Sequence, residues 1–368
     1  MSDCQGGVLT LQFDQDDKFI AAGCGDGSIK IFNAFTSKQM YSMGANQHHQ
    51  DAMPITCVKW RPSGNTDTGS KSSSVLVSTT SDGSIQHWAI NSSKCMHTIK
   101  EDNDNNLYAL DFSPDGRLFA VGGSDTHVYV YDEVTRSQIL DMKVGGKNLP
   151  GHSSRVFTVK FNPADPNVLL SSGWDRTIQI YDLREGRTVG SIYGPQVSGD
   201  ALDIFDDMIV TGSNRNREII QMFSLSKRQL IYNIDWESAS RKDVESGYIF
   251  GCKFSKPHPN LIIAGGAGKN EVKIFENNAD GSGNFRILAN IHELESPCLS
   301  LDTSKQGDNF AFGCQDGRIF LCNYKLEEGI EFEGYRGGHF KEHSQHKTNH
   351  LSHKAQEEGD QEEEEKKE

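Results

Sequence analysis

Three side-chain types that together perform nucleophilic chemistry fall within one short stretch of this 368-residue chain: His152, Ser171 and Asp175. An imidazole set between a carboxylate and a hydroxyl can draw off the hydroxyl proton and make the oxygen attack a carbonyl, so the triplet is a candidate for catalysis. The rest of the chain does not extend that reading. It has no GxSxG turn to lift a serine out of a sheet, no GxxxxGK[ST] loop to cradle a phosphate and no HExxH pair to hold zinc. A second candidate is the series His339, His343, His346, His350 and His353, at steps of four, three, four and three. On a helix these five would share one face and could take zinc, nickel or copper. The segment has no caps or apolar anchors to make it helical, and no cysteine to close a ligand set. No metal site and no cofactor is therefore expected. The eight cysteines are scattered without a CxxC pair and read as small apolar strand residues in a reducing compartment.

The elements that must position the triplet are strands. From Gly151 to Arg184, GHSSRVFTVKFNPADPNVLLSSGWDRTIQIYDLR, the runs RVFTVKF and NVLLSSG are apolar and β-branched and TIQIYD alternates. Asn162, Pro163, Asp165, Pro166, Gly173 and Asp175 supply the breaks between them. The same three-strand rhythm recurs along the chain. It begins with VLTLQF, FIAAGCGDG and SIKIFN, and it ends with SPCLSLD, NFAFGCQDG and RIFLCN, giving seven units in all. Asp26, Asp82, Asp125 and Asp316 repeat the turn position of Asp175. The fifth unit has Asn214-Arg215-Asn216-Arg217 there, and the sixth has Lys269-Asn270. After each third strand comes one more amphipathic run, such as KQMYSM, KCMHTIK or RQLIYNI. That pattern predicts a fourth, half-wet outer strand around inner strands buried on both sides.

The template resembles a WD40 repeat. Gly151-His152 stand before its first strand, Asp175 in the turn between the second and third, and Tyr181-Asp182 where that family usually has Trp-Asp. The resemblance covers roughly residues 5 to 335 in units of about 40 to 55 residues. It implies an all-β, seven-bladed WD40-type β-propeller over residues 1–335, followed by a disordered His-rich and acidic tail over 336–368. It also gives the triplet a structural use, with His152, Ser171, Asp175 and Tyr181 in one buried hydrogen-bond chain and Asp26, Asp82, Asp125 and Asp316 as structural turn residues. Only MSDCQGG precedes the first strand, so Ile330 to Tyr335 is expected to complete the seventh blade. The Ser/Thr/Gly-rich insertion from Pro62 to Ser74 is expected to be a mobile surface loop.

A formal net charge of −14 argues against a nucleic-acid-binding domain, which needs a basic excess to neutralise phosphate. The opening MSDCQGG lacks the charged and apolar pattern of a leader peptide, so none is expected, and no apolar run approaches the roughly 20 residues of a membrane span. The expectation is a soluble cytoplasmic protein, with cytoskeletal, ciliary or nuclear association open. WD40 proteins as a class are mainly scaffolds, so the resemblance implies a non-catalytic protein that presents loop faces to other proteins in a multiprotein complex. On the face carrying the interblade loops it places Arg155, Trp174, Arg176, Arg215, Arg217, Trp236, Arg241 and Lys242 together, residue types that dominate interface hot spots. The acidic run from Glu362 to Glu365 is expected to compete with an acidic partner for Arg215, Arg217 and Arg176. Two alternatives stay open. Ile180-Tyr181-Asp182-Leu183-Arg184 matches the ending carried by substrate receptors of cullin-type ubiquitin ligases, which would make Asp182 and Arg184 adaptor contacts. Some propellers, too, are hydrolases or lyases built around a central channel.

Overall fold

Strands of four to seven residues follow one another through short turns, each pairing antiparallel with the next inside its sheet. The computed structural model describes residues 4–44, 52–63, 75–100, 105–142, 151–237, 247–277, 283, 285–307 and 309–323. Within these the strands make seven sheets, six of four strands and one of three. A single 3-10 turn, Ile90–Ser92, is the one helical element among the described residues. The first strands of the sheets are Val8–Phe13, Ile55–Trp60, Leu107–Phe112, Val156–Phe161, Leu202–Phe205, Tyr248–Phe254 and Cys298–Thr303. They touch in circular order, and Cys298–Thr303 returns to touch Val8–Phe13, so the sheets are the blades of a closed ring. The fold is the seven-bladed β-propeller.

Burial explains why short apolar runs suffice. Phe19–Cys24, Val75–Thr80 and Val168–Gly173, all second strands, are buried at every position but the first, because a neighbouring blade covers each face. Of the fourth strands, Lys94–Lys100 is mostly exposed and Gln39–Gly44 is half exposed, as the amphipathic runs predict. The cores lie between blades. Ala120, Val128 and Val130 of blade three pack with Val159, Phe161 and Tyr181 of blade four. Tight approach at the loop-bearing ends requires glycine. A methyl group on Gly173 would overlap the carbonyl oxygen of Arg155, and one on Gly266 that of Tyr248.

Blade seven shows three strands among the described residues, ending at Ile319–Asn323. Its expected completion by Ile330 to Tyr335 lies outside the described residues, as do most of the insertion after Pro62, the five-histidine series and the acidic run. Among the described residues no helix is long and apolar enough to cross a membrane.

Candidate functional site

In blade four the loop before the first strand lays His152 against the turn that follows the second. His152 Nδ1 lies 2.7 Å from Asp175 Oδ2, and Nε2 lies 2.6 Å from Ser171 Oγ. Ser171 Oγ is hydrogen bonded in turn to the Tyr181 hydroxyl at 3.1 Å. Asp175 also accepts from the Ser153 N–H at 3.0 Å and from the Thr177 hydroxyl at 2.9 Å. The order serine, imidazole, carboxylate is that of an acyl-transfer triad, yet Ser171 and Tyr181 are both 0% exposed. No substrate carbonyl can reach Ser171 Oγ, so the contacts tie loop, strand and turn together instead of performing a reaction. Burial works against the charge on Asp175, but the His152 contact and the Ser153 and Thr177 donors overcome it and hold the carboxyl below its usual range. Burial pushes the Tyr181 phenol up.

The other turn aspartates repeat half of this device. Asp26, Asp82, Asp125 and Asp316 each accept the N–H two residues on, from Ser28, Ser84, His127 and Arg318. Such a bond holds the turn without a backbone partner. Burial opposes ionisation of Asp82, but the Thr80 hydroxyl, the Lys100 ammonium and Ser84 outweigh it and hold its pKa at about 2. In blades five and six, where aspartate is missing, longer donors reach across to the adjoining loop. Arg215 Nη1 donates to the Gly194 carbonyl at 3.1 Å, and Asn270 Nδ2 to the Leu294 carbonyl at 3.3 Å.

These turns and the interblade loops share one face, since four antiparallel strands return the chain to the side it left. On that face the Arg155 guanidinium stands 5.4 Å over the Trp174 ring, and Phe157 meets the same ring at 5.2 Å. Tyr108 of blade three stacks on Phe157 at 4.9 Å. Trp174 is 40% exposed and donates its indole N–H to Ser198 Oγ at 2.8 Å. Arg176 is exposed, and its carbonyl accepts from the N–H of Gly194, the residue whose own carbonyl holds Arg215. Arg155, Trp174, Arg176 and Arg215 thus follow one rim over blades four and five, and Arg217 is exposed on the turn that carries Arg215.

Trp236 does not belong to that surface. It is 9% exposed, packs on Phe275 at 5.7 Å, lies under Lys273 Nζ at 4.7 Å and donates its indole N–H to Glu271. An indole that can cover a blade's core while keeping a partner for its N–H gains more by turning inward. Arg241 and Lys242 lie outside the described residues. Asp182 and Arg184 sit on the opposite face, after the third strand of blade four. There the guanidinium bonds both carboxylate oxygens, at 3.0 and 2.6 Å, and remains 62% exposed. That guanidinium holds the Asp182 carboxyl at about 2.

Sequence reasoning missed the centre of the ring. One polar residue recurs at the equivalent point of each first strand: Gln12, Lys59, Asp111, Lys160, Asp203, Lys253 and Asp302. The acceptors among them stitch neighbouring blades, taking the backbone N–H of Trp60, Phe161, Phe254 and Phe13 at 2.7, 2.9, 3.1 and 2.9 Å. Asp200, in the loop entering blade five, bonds Lys253 at 2.7 Å and Lys59 at 2.9 Å. Lys59 belongs to blade two, so this bridge crosses the axis. Burial would lower the Lys59 pKa, but the Asp200 charge raises it well above its usual value. Burial opposes the Asp200 charge as well, and Lys253, Lys59 and Lys160 together hold the carboxyl far below its usual range. The cavity at the channel mouth, lined by Tyr108, Phe157 and Asp200 among others, is about 30 Å³, room for one or two waters. Among the described residues, no three metal-ligating side chains gather into a cage.

Comparison with known proteins agrees with this geometry. The model of the WD domain, G-beta repeat, matches residues 40–89, 93–132 and 146–182. That of the anaphase-promoting complex subunit 4 WD40 domain matches 2–63. The match 40–89 starts on the outer strand of blade one and ends on the third strand of blade two, so the sequence repeat straddles two blades. The chain is 29% identical to the Periodic tryptophan protein 2 homolog of Dictyostelium discoideum, over 49% of this chain and 18% of that protein. It is 27% identical to Protein SPA1-RELATED 3 of Arabidopsis thaliana, over 70% and 29%. For WD repeat-containing protein 25 of Mus musculus the values are 24% identity over 74% and 48%. The chain spans less than half the length of each of these relatives.

Proposed function

From the premise that this chain is a WD40-repeat β-propeller, we propose that it is a non-catalytic scaffold holding other proteins against its loop-bearing face within a larger assembly. The observation that carries this is Trp174. Its ring is 40% exposed and yet fixed, by Ser198 at the indole N–H and by Arg155 over its face. A large ring already ordered in the free protein loses little entropy when a partner covers it. The serine of the triad-like set, Ser171, is sealed inside blade four, which supports a structural use for it. The test is co-purification from cells with tagged wild type and with the pair Trp174→Ala and Arg215→Glu. Loss of stoichiometric partners from a variant that melts like wild type is the expected result, and an unchanged partner set would reject this face as the interface.

A narrower reading, in which the chain is a cullin-type ligase receptor, rests on Asp182 and Arg184. The pair stands in a matching motif, with Arg184 exposed and already bound to both Asp182 oxygens. A pull-down with the ligase adaptor, comparing wild type with Arg184→Ala, decides it: adaptor bound by neither, or equally by both, removes the reading.

A further inference from the structure

We propose that the rim running from Tyr108 to Arg217 docks an acidic, extended peptide segment of a partner protein. The inference rests on the scaffold reading and names the chemistry of what the scaffold holds. The rim has an apolar shelf. Tyr108 and Phe157 stack with their planes 16° apart, and Phe157 continues into the exposed Trp174, giving three rings in a row beside the channel mouth. An apolar side chain of a bound segment can lie on this shelf without opening the protein.

Around the shelf the charge is positive. Arg155 covers one side of Trp174, Arg176 stands exposed at the adjoining turn, and Arg215 and Arg217 come from the turn of blade five. This is a local excess on a chain whose net charge is −14. The one carboxylate in each of the two turns is already engaged, Asp175 by His152 and Glu218 by Arg215. Guanidinium groups bind carboxylates through paired, charge-assisted hydrogen bonds, so a segment rich in Asp or Glu matches the rim in charge and in bond geometry.

The rim is also held from below. Ser198, which fixes Trp174, lies two residues before Asp200, and Asp200 is clamped by Lys59 and Lys253 across the axis. Gly194, at the start of the same loop, holds Arg215. A surface fixed in this way binds with little ordering cost. A nucleic-acid strand would also stack on the rings and meet the arginines. A long polyanion would nevertheless run off the patch onto an acidic molecule, whereas a short acidic segment would not.

The experiment uses the full chain and fluorescence anisotropy at low salt. The probes are a fluorescein-labelled glutamate-rich peptide with one central leucine, the same peptide with lysine for glutamate, and single-stranded oligothymidine. The glutamate peptide should bind alone, and added salt should weaken it. Trp174→Ala and Arg155→Glu should each weaken it about tenfold or more, as central hot-spot residues do. Lys94→Glu, on the outer strand of blade two, should change nothing, and all three variants should melt like wild type. Oligothymidine binding as tightly as the peptide would overturn the proposal, as would peptide binding indifferent to both rim variants, or no peptide binding at all. If the peptide fails while cellular partners still depend on Trp174, the acidic-segment inference falls and the scaffold reading stands. If partners also ignore Trp174, both fall.

Discussion

Asp175 shows how much one side chain carries when it is closed in. Replacing it with alanine leaves the buried His152 Nδ1 without its acceptor and takes the acceptor from the Ser153 N–H at the exposed edge of the site. Asp175→Ala should therefore destabilise by about 1 to 3 kcal/mol, read as a drop in thermal midpoint. Alanine at Arg217, which is exposed, or at Lys269, which pairs at the surface with Glu237, should cost much less, and equal losses at all three would contradict the account. Asp82 predicts a pH dependence. Its folded pKa of about 2 lies below the usual carboxylate value, so its contribution is complete above pH ~4 and fades as the pH falls toward the folded value. Acid melts of Asp82→Asn should lack that part of the decline. At this scale the sequence names His152, Ser171, Asp175 and Tyr181, and the structure brings these four into contact. Trp236 was not legible in the same way, because what turns it inward is Phe275 and Lys273, supplied by a strand some 37 residues on.

Strands are legible when their apolar runs are bounded by turn residues, and here even the exposed outer strands stand out by their alternation. The polar residues of the first strands are not legible one at a time. Lys59 in ITCVKW looks like a residue facing water until ring closure sets blade two across from Asp200 of blade five. A sign alternating at a fixed strand position was the available signal, and it appears only when all first strands are aligned. The consequence is measurable. Asp200→Asn leaves Lys59 and Lys253, 5% and 3% exposed, without their shared anion, a change of the kind that costs about 3 kcal/mol. Lys59, deprived of the Asp200 charge that raises its pKa, gives up its proton more readily, so the deficit against wild type should shrink as the pH is raised toward ~10. A deficit that stays constant across that range would mean the lysines are not what Asp200 serves.

The whole molecule is a ring, and closure sets a condition that no single blade expresses. Around the channel the signs run neutral, plus, minus, plus, minus, plus, minus, from Gln12 to Asp302. Two colours cannot alternate around an odd cycle, so somewhere two like charges must meet or one place must be left uncoloured. Gln12 is that place. It keeps the acceptor role of the aspartates, taking the Trp60 N–H at 2.7 Å, while contributing no charge between Asp302 and Lys59. Lys256 Nζ, 3.5 Å from Asp302, supplies the second cation that parity denies to Asp302. Either charged substitution should then fail for the same arithmetic reason. Gln12→Glu sets an anion beside Asp302, Gln12→Lys sets a cation beside Lys59, and both should lower the thermal midpoint. A gain from either would show that the cycle tolerates the mismatch. A propeller with an even number of blades could close such a cycle without any uncharged member.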